Sequence, residues 1–334
     1  MTSKSQTLSR SRSHVGGFTL VELMIAMLLG LILVGSALAI FTTNKRTYVT
    51  TENLGRVQEN GRVAFELMSR EVREAGGTPC SKKIPVANVL NNPGANWWSN
   101  WTNPIKGYGG ADDMVTPVIG VGVADRVTGT DGIELKSTFD SGATLVKQPS
   151  ATSADFQVLD SSGLQPADVV MVCDYRQATI LQITGVPNGT AVVHSQGAGS
   201  PGNCSKGMGF PTICTVNGNP YVYQPNAIIA KLHATRWYIG NNARGGRSLY
   251  QNAVNGGVAV AQEVTEGVRD MQLQYLLQGA SDYVAAASVG AGNWKNVIAV
   301  RINLTLEGRD KVGTDGKVLS RSLAHTVNLR NRTS

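Results

Sequence analysis

The sequence predicts an α+β fold, in which one long N-terminal α-helix packs on an antiparallel β-sheet with large loops. Three observations lead to this prediction. Apolar residues recur at helical spacing after residue 46, apolar and other residues alternate in segments beyond Pro79, and long glycine-rich stretches separate those segments. The 38 glycines and the 16% of charged residues also favour a β-rich body over a helical bundle.

An apolar run extends from Phe18 to Phe41, and a basic, polar leader that ends at Gly17 precedes it. A membrane-spanning helix needs about 20 apolar residues, so the run predicts a transmembrane segment. One carboxylate, Glu22, lies near its start, where insertion of an acid costs about 2.5–3.5 kcal/mol. An ordinary anchor or secretory signal gives no reason for this acid, although Ala37-Leu38-Ala39 fits the A-x-A pattern at which signal peptides are cut.

The string GGFTLVELMIAM, residues 16–27, resembles the N-terminal signature of type IV prepilins and of the related pseudopilins of type II secretion. The resemblance implies that a prepilin peptidase cuts after Gly17 and methylates the new N-terminal residue, Phe18. It also implies that Glu22 pairs with the terminal amine of a neighbouring subunit. An amine and a carboxylate are each costly in an apolar setting and offset each other when two chains lie in register. Glu22 is therefore interpreted as a register device.

After residue 46 the apolar positions continue in steps of three, four or seven residues, which predicts one helix from Phe18 to Ala75. Gly76, Gly77 and Pro79 then form a stop signal. Four glycines are places where this helix is expected to bend or locally melt: Gly30, Gly35, Gly55 and Gly61.

Seven segments beyond the helix are predicted as strands: 131–137, 167–173, 178–184, 226–239, 271–278, 297–308 and 323–330. The chain is thereby predicted to have four parts. These are a cleaved leader (1–17), a transmembrane or filament-core half of the helix (18–41), an amphipathic half (42–77) and a globular, β-rich head of the pilin kind (78–334).

Two further stretches resemble the PilW-like minor pilins: NLGRVQENGRVAFELMSREVREAGG (53–77) and GTDGIEL (129–135). The stretch AHTVNLRNR (324–332) resembles the closing strand of several minor pilins of the same operons. The first 77 residues carry nearly all of the specificity. The resemblance implies a minor pilin that helps to prime assembly of the type IV pilus and is incorporated at or near its tip. Such a pilus supports functions such as twitching motility or adhesion.

The implied partners are other minor pilins, the major pilin, the prepilin peptidase, the inner-membrane assembly platform and a tip adhesin. The implied location is the inner membrane of a Gram-negative bacterium, as a single-pass protein with a periplasmic head, and then the pilus at the cell surface. Two alternatives stay open. One is a J-like minor pseudopilin of type II secretion, and the other is a signal-exported or membrane-anchored globular binding domain.

The four cysteines form no C-x-x-C pair and have no histidine at metal-ligand spacing. An even number in an exported chain favours disulfides over a zinc site, with buried free thiols as the alternative. Sequence alone allows three pairings. Because Cys204 and Cys214 would close a short loop rich in Gly and Pro, we expect that pair, which leaves Cys80 with Cys173.

The stretch NWWSNW, residues 96–101, makes Trp97, Trp98 and Trp101 a candidate surface for a partner protein or a glycan. Tryptophan is enriched in interface hot spots, which favours this interpretation. The alternative is that these rings pack the loop onto the helix or the sheet.

Motifs of nucleophilic, phosphate-binding or zinc-dependent catalysis are missing from the sequence. Asp112-Asp113 lacks a surrounding calcium-loop pattern, which favours a solvated turn over a Ca²⁺ site. His194, His233 and His325 are scattered and are expected to be surface or strand residues. The net charge is +7, but the basic residues form no segment in which they alternate with aromatic residues, as in a nucleic-acid-binding surface. We therefore expect no enzymatic activity, no cofactor, no metal site and no nucleic-acid partner.

Overall fold

The computed structural model describes residues 17–81, 84–255, 258–313 and 315–332. The chain divides into two compact units, with the boundary between Glu52 and Asn53. Helix α1 runs without interruption from Leu20 to Glu74, which confirms the long N-terminal helix. The predicted leader, with His14, lies outside the described residues except for Gly17.

Within the described residues, the second unit contains the rest of α1, fourteen strands and one short α-helix. All seven predicted strands are present. The other seven were missed: five have only three or four residues, whereas β9 and β10 form a long hairpin. The elements after α1 are β1 (Val86–Asn88), β2 (Ile105–Tyr108), β3 (Gly132–Lys147), β4 (Asp155–Val158), β5 (Val169–Cys173), β6 (Ala178–Gln182), β7 (Ala191–Val193), β8 (Ile228–Asn241), β9 (Arg247–Asn255), β10 (Val258–Glu266), β11 (Val268–Leu277), β12 (Tyr283–Ala285), α2 (Ala286–Val289), β13 (Val297–Glu307) and β14 (Ser320–Asn328).

The strands form two sheets rather than the single predicted one. A ten-stranded sheet has the order β1-β6-β5-β8-β3-β4-β7, with β9 and β10 added beside β8 and with β2 beside β3. A four-stranded sheet has the order β12-β11-β13-β14. Strand pairs within both sheets are antiparallel, except that β1 runs parallel to β6. The α+β class is confirmed, and the antiparallel sheet becomes two sheets with one parallel edge pair.

The second half of α1 covers a core to which both sheets contribute. Its buried stripe contacts apolar side chains of β11 and β13 from one sheet and of β8 and β9 from the other. Gly61 lies in this stripe, and a Cβ atom there would lie 3.0 Å from Cδ1 of Leu323. The helix continues through Gly61 without local melting, and the glycine permits close approach of α1 to the sheet. The apolar members of the stripe are Val57, Ala64, Met68 and Val72.

One carboxylate of α1, that of Glu71, is buried against the ten-stranded sheet. It accepts hydrogen bonds from Thr235 Oγ1 at 2.6 Å and from Trp237 Nε1 at 2.6 Å, both on β8. It also accepts from Gln251 Nε2 on β9 at 2.5 Å, and His233 Nε2 lies 3.4 Å away. A buried acceptor with several donors fixes the rotation of α1 about its own axis, because any turn of the helix would break these bonds.

The structure contains both disulfides predicted from the sequence. Cys80 pairs with Cys173, with Cα atoms 5.9 Å apart, and ties the segment after α1 to strand β5. Cys204 pairs with Cys214, with Cα atoms 5.0 Å apart, within the long loop between β7 and β8. The first bridge closes a separation of 93 residues and the second one of 10. A longer closed loop removes more conformational entropy from the unfolded chain, so we expect the first disulfide to stabilise the fold more than the second.

The Glu71 contacts predict a large effect of substitution on stability. Glu71→Ala is expected to lower the free energy of unfolding by about 3 kcal/mol or more, since each buried donor left without an acceptor costs about 1–3 kcal/mol. The measurement is urea unfolding of the full chain in detergent, followed by tryptophan fluorescence. Glu74→Ala, at an exposed position one turn further along α1, is the matched control and should change stability by less than about 0.5 kcal/mol. Equal unfolding midpoints for the two variants would contradict the assigned role of Glu71.

Candidate functional site

The N-terminal end of α1 presents the predicted processing and pairing residues together. Gly17, Phe18 and Thr19 precede the helix, and the Phe18 side chain is 85% exposed. The backbone N–H of Glu22 donates to Thr19 Oγ1 at 3.2 Å, so Thr19 acts as the N-cap of the helix. The spacing Thr19-x-x-Glu22 also fits a capping box, a signal that the sequence prediction missed. Glu22 therefore lies in the first helical turn, where the helix dipole favours a carboxylate.

The first unit exposes its apolar side chains all around the helix. Every residue from Phe18 to Phe41 is exposed, and α1 is long and apolar enough to cross a membrane by length and composition. Several of its hydroxyl side chains donate within the helix: for example, Ser36 Oγ donates to the carbonyl of Ile32 at 2.8 Å, and Thr43 Oγ1 to that of Ala39 at 2.8 Å. These internal bonds lower the cost of placing the two hydroxyl groups in an apolar environment.

The structure gives the three tryptophans of residues 96–101 different surroundings. Trp98 is buried, with 5% of its surface exposed. Trp97 packs on the guanidinium of Arg236, whose Cζ lies 4.3 Å from the ring centroid. Trp101 is partly exposed and lines a cleft of about 340 Å³ with Asn88 and Asn100. Packing thus accounts for Trp98 and largely for Trp97, and the predicted partner surface stays a prediction that concerns Trp101 above all.

Under Trp97 lies a buried charge cluster that the strand pattern did not reveal. Glu134 on β3 accepts from Arg236 Nη2 at 2.7 Å, from Tyr108 Oη at 3.0 Å and from Lys136 Nζ. Burial raises the pKa of the Glu134 carboxyl, but the two cations outweigh it and lower this pKa overall. Burial lowers the pKa of Lys136, and its attraction to Glu134 opposes that effect. All members are satisfied inside the fold, so the cluster is a structural element rather than a reactive site.

Asp112 and Asp113, the two residues considered as Ca²⁺ ligands, accept hydrogen bonds from nearby backbone N–H groups in a turn. Asp112 Oδ2 accepts from the N–H of Gly109 at 2.6 Å, and Asp113 Oδ1 accepts from that of Val115 at 2.7 Å. Within the described ranges, no group of three or more His, Cys, Asp or Glu side chains is placed to hold a metal ion. These contacts support the interpretation as a turn.

The histidines occupy three different environments. His233 lies beside Glu71, and His325 is an exposed residue of β14 whose ring centroid lies 5.6 Å from that of Phe65. His194 is fully buried beside Phe156, with ring centroids 4.7 Å apart. Neither ring nitrogen of His194 has a hydrogen-bond partner among the described residues. Burial lowers the pKa of His194 to about 3 from its ordinary value of 6.5.

His194 predicts a loss of stability in acid. Between pH 6.5 and about 3 the unfolded chain binds a proton at this residue and the folded chain does not, so folding weakens as the pH falls through this window. At pH 4.5 the expected cost is about 2–3 kcal/mol. His194→Phe should remove this part of the pH dependence, whereas His325→Phe should keep it, as measured by urea unfolding at pH 7 and 4.5. The same pH dependence in both variants would show that His194 is not its source.

Comparison with known protein families gives two matches. The model described as Type IV Pilus-assembly protein W matches residues 236–331, from the end of β8 through β14. The model described as the prokaryotic N-terminal methylation motif matches residues 12–38. No curated protein and no solved structure matches the chain at a significant level.

The place of the first match corrects one expectation. The first 77 residues were expected to carry nearly all of the specificity, yet the pilus-assembly match covers the C-terminal part of the head and contains neither 53–77 nor 129–135. The N-terminal match contains Gly17, Phe18 and Glu22, the residues of the predicted signature. Together, the matches at the two ends of the chain support a minor-pilin role and anchoring in a membrane. The chain therefore matches a PilW-like type IV pilin.

Proposed function

We propose that this chain is a minor pilin that helps to prime assembly of the type IV pilus and is incorporated at or near its tip. The observation that carries the proposal is the N-terminal end of α1. There a methylation motif, an uncovered apolar helix and a carboxylate in the first turn occur together. The function is structural, because the proposed mechanism consists of packing and charge pairing without chemical turnover.

The proposed order of events follows from the physical chemistry of this segment. The precursor is held in the inner membrane by residues 18–41, with the head in the periplasm of a Gram-negative bacterium. A prepilin peptidase cuts after Gly17 and methylates Phe18. The processed chain then leaves the bilayer for a filament, in which the apolar helix surface contacts the helices of neighbouring subunits instead of lipid. Contact with lipid in the membrane, and then with other chains in the filament, keeps this surface out of water at both stages.

Glu22 supplies register in this proposal. In an apolar helix bundle an unpaired carboxylate is costly, and so is an unpaired terminal amine. When the amine of Phe18 on one chain meets the carboxylate of Glu22 on another, each offsets the cost of the other. The pairing is available only at one axial offset between the two helices. It therefore selects a single stagger among the many that apolar packing alone would allow.

The proposed partners are other minor pilins, the major pilin and the inner-membrane assembly platform, and a tip adhesin is proposed beyond them. Contact with other pilins and with assembly machinery is what membership of a pilus-assembly family implies. The position near the tip and a contribution to twitching motility or adhesion are proposed on the PilW-like resemblance.

The test is intact-mass and N-terminal analysis of the protein from membranes and from sheared filaments, beside Glu22→Ala. We expect a chain that begins with N-methylated Phe18 and is present in filaments. Glu22→Ala should deplete it from filaments by about tenfold or more, because removal of one partner leaves a buried charge unpaired. Glu66→Ala, at an exposed position on the second half of α1, is the matched control and should leave incorporation unchanged.

Two outcomes would contradict this proposal. A chain that begins at Ile40 would indicate cleavage after Ala39 by signal peptidase, and an uncut chain missing from filaments would indicate an ordinary anchor. Equal incorporation of Glu22→Ala and the native chain would remove Glu22 from the proposed mechanism.

A further inference from the structure

A basic cleft of about 530 Å³ lies in the second unit, where the ends of several strands meet. Arginines reach it from α1, from the β8–β9 turn and β9, from the start of β11 and from the segment after β13. Its volume falls in the range of ordinary ligand and peptide sites. We call this feature the basic cleft, and the arginines that line it are Arg56, Arg244, Arg247, Arg269 and Arg309.

The carboxylates around the basic cleft leave part of this charge uncompensated. Arg244 pairs with Glu263 and, at 3.0 Å, with Glu266, and Arg269 pairs with Glu307. Among the described residues, no carboxylate lies within 4 Å of the guanidinium of Arg247 or of Arg309. Arg247 donates one hydrogen bond, from Nη1 to the carbonyl of Arg269 at 3.1 Å. Both side chains are exposed, so their remaining donors are available to an external acceptor.

The frame of the basic cleft is fixed by backbone contacts. Gly267 joins β10 to β11, which places it at the passage from one sheet to the other. Its N–H donates to the carbonyl of Arg247 at 3.0 Å, and its carbonyl accepts from the N–H of Glu307 at 2.8 Å. Gly267 has a φ of +76°, and a Cβ there would lie 2.7 Å from the carbonyl oxygen of Glu307. Glycine is therefore required at this point, and the arginines are displayed from a rigid junction.

An exposed aliphatic loop borders the cleft. The loop consists of residues 115–123, and Asn241 connects it to the basic cleft. Asn241 lines the cleft and also donates from Nδ2 to the carbonyl of Gly120 at 3.0 Å. The N–H of Arg126 donates to the carbonyl of Val118 at 2.8 Å, which closes the base of the loop. Five of its side chains are exposed by 37% to 96%: Val115, Val118, Ile119, Val121 and Val123.

A fixed loop that holds five aliphatic side chains in water gains nothing for the isolated fold. Contiguous exposed apolar surface rimmed by polar residues marks an interaction site in soluble proteins. Arginine forks bind carboxylates in a bidentate manner, which adds specificity to charge attraction. The two features side by side fit a polypeptide segment that carries carboxylates toward the basic cleft and aliphatic side chains toward the loop.

The charges around the loop argue against a lipid surface as the occupant. Asp113 and Asp125 flank the aliphatic loop, and Glu263, Glu266 and Glu307 stand among the arginines. An anionic bilayer would repel these acids at the very place where the aliphatic side chains would have to insert. The loop also lacks the Trp and Tyr side chains that favour membrane interfaces. A protein segment, unlike a continuous anionic surface, can place its carboxylates at Arg247 and Arg309 and keep them away from these acids.

We propose that the basic cleft and the aliphatic loop together form a docking surface for an acidic, aliphatic segment of a neighbouring subunit. The choice of a neighbouring subunit as partner rests on the proposed function, whereas the chemistry of recognition rests on the surface alone. Arg247 and Arg309 bind carboxylates of the segment, and Val121, which is 96% exposed, becomes buried against its aliphatic side chains.

The test measures binding of fluorescein-labelled synthetic peptides to the full chain in neutral detergent by fluorescence anisotropy. The probe is a peptide of Glu-Val-Ser repeats. Matched peptides carry Gln in place of Glu, or Ser in place of Val. We expect the probe to bind at least about tenfold more tightly than either matched peptide, with an affinity that falls as salt rises. The double variant Arg247→Gln/Arg309→Gln and the single variant Val121→Ser should each weaken binding by about tenfold. Arg176→Gln, at an exposed arginine outside the cleft, should leave it unchanged.

Several outcomes would overturn the proposal. These are no binding of the probe, equal binding of the Glu and Gln peptides, or equal affinity of the double variant and the native chain. Tighter binding to vesicles of phosphatidylglycerol than to neutral vesicles, lost in the double variant, would assign the surface to membrane lipid instead. Self-association that the same double variant abolishes would assign it to a second copy of this chain. The peptide measurement involves neither Phe18 nor Glu22, so its failure can be told apart from failure of the proposed filament function.

Discussion

The carboxylate of Glu71 fixes the position of the helix on which the rest of the second unit is arranged. It accepts from side chains of two neighbouring strands, β8 and β9, and these donors lie 164 to 180 residues away in sequence. Apolar burial of Val57, Ala64 and Met68 does not by itself specify the rotation of α1, because the hydrophobic effect is non-directional. Directed hydrogen bonds in a buried setting remove that freedom, because each lost bond leaves an unsatisfied donor.

Along one continuous helix the side-chain environment changes at the boundary between the two units. Before Asn53 the apolar side chains are uncovered, and after it a stripe of them is buried under two sheets. The uncovered part has no stable arrangement in water, since its apolar surface has nothing within the described chain to contact. A bilayer or the helices of other chains can supply that contact. The apolar half of α1 is thus suited to exchange one apolar environment for another.

In the head, the two sheets share an apolar core, and polar contacts between them occur at strand ends. Asp131, just before β3, donates its N–H to the carbonyl of Met271 on β11 at 2.8 Å and accepts from the N–H of Leu273 at 2.8 Å. Gly267 makes the second junction, at the basic cleft. Because these junctions bring strand ends together, they also bring together charged side chains that are far apart in sequence. The docking surface is a consequence of how the sheets meet.

The sequence by itself determined the features that depend on local pattern. These are the extent of α1, seven of the strands and the signature around Gly17, Phe18 and Glu22. Helical and strand periodicity are properties of neighbouring residues, and the signature is a short contiguous string, so each can be predicted without knowledge of the tertiary structure. Local propensity marked Gly61 as a weak point of α1, and it could not show that Leu323 closely approaches the helix at this glycine.

Only the tertiary structure decided the second sheet, the β9–β10 hairpin, the partners of Glu71 and the convergence of Arg56 and Arg309 on one cleft. The hairpin escaped prediction because β10 is mostly exposed, so burial imposes no clear inside-outside alternation on its sequence. The other three depend on pairing between residues that are remote in sequence. Such pairing depends on how the whole core packs and on whether its buried polar groups find hydrogen-bond partners, so it cannot be predicted from a short segment of sequence.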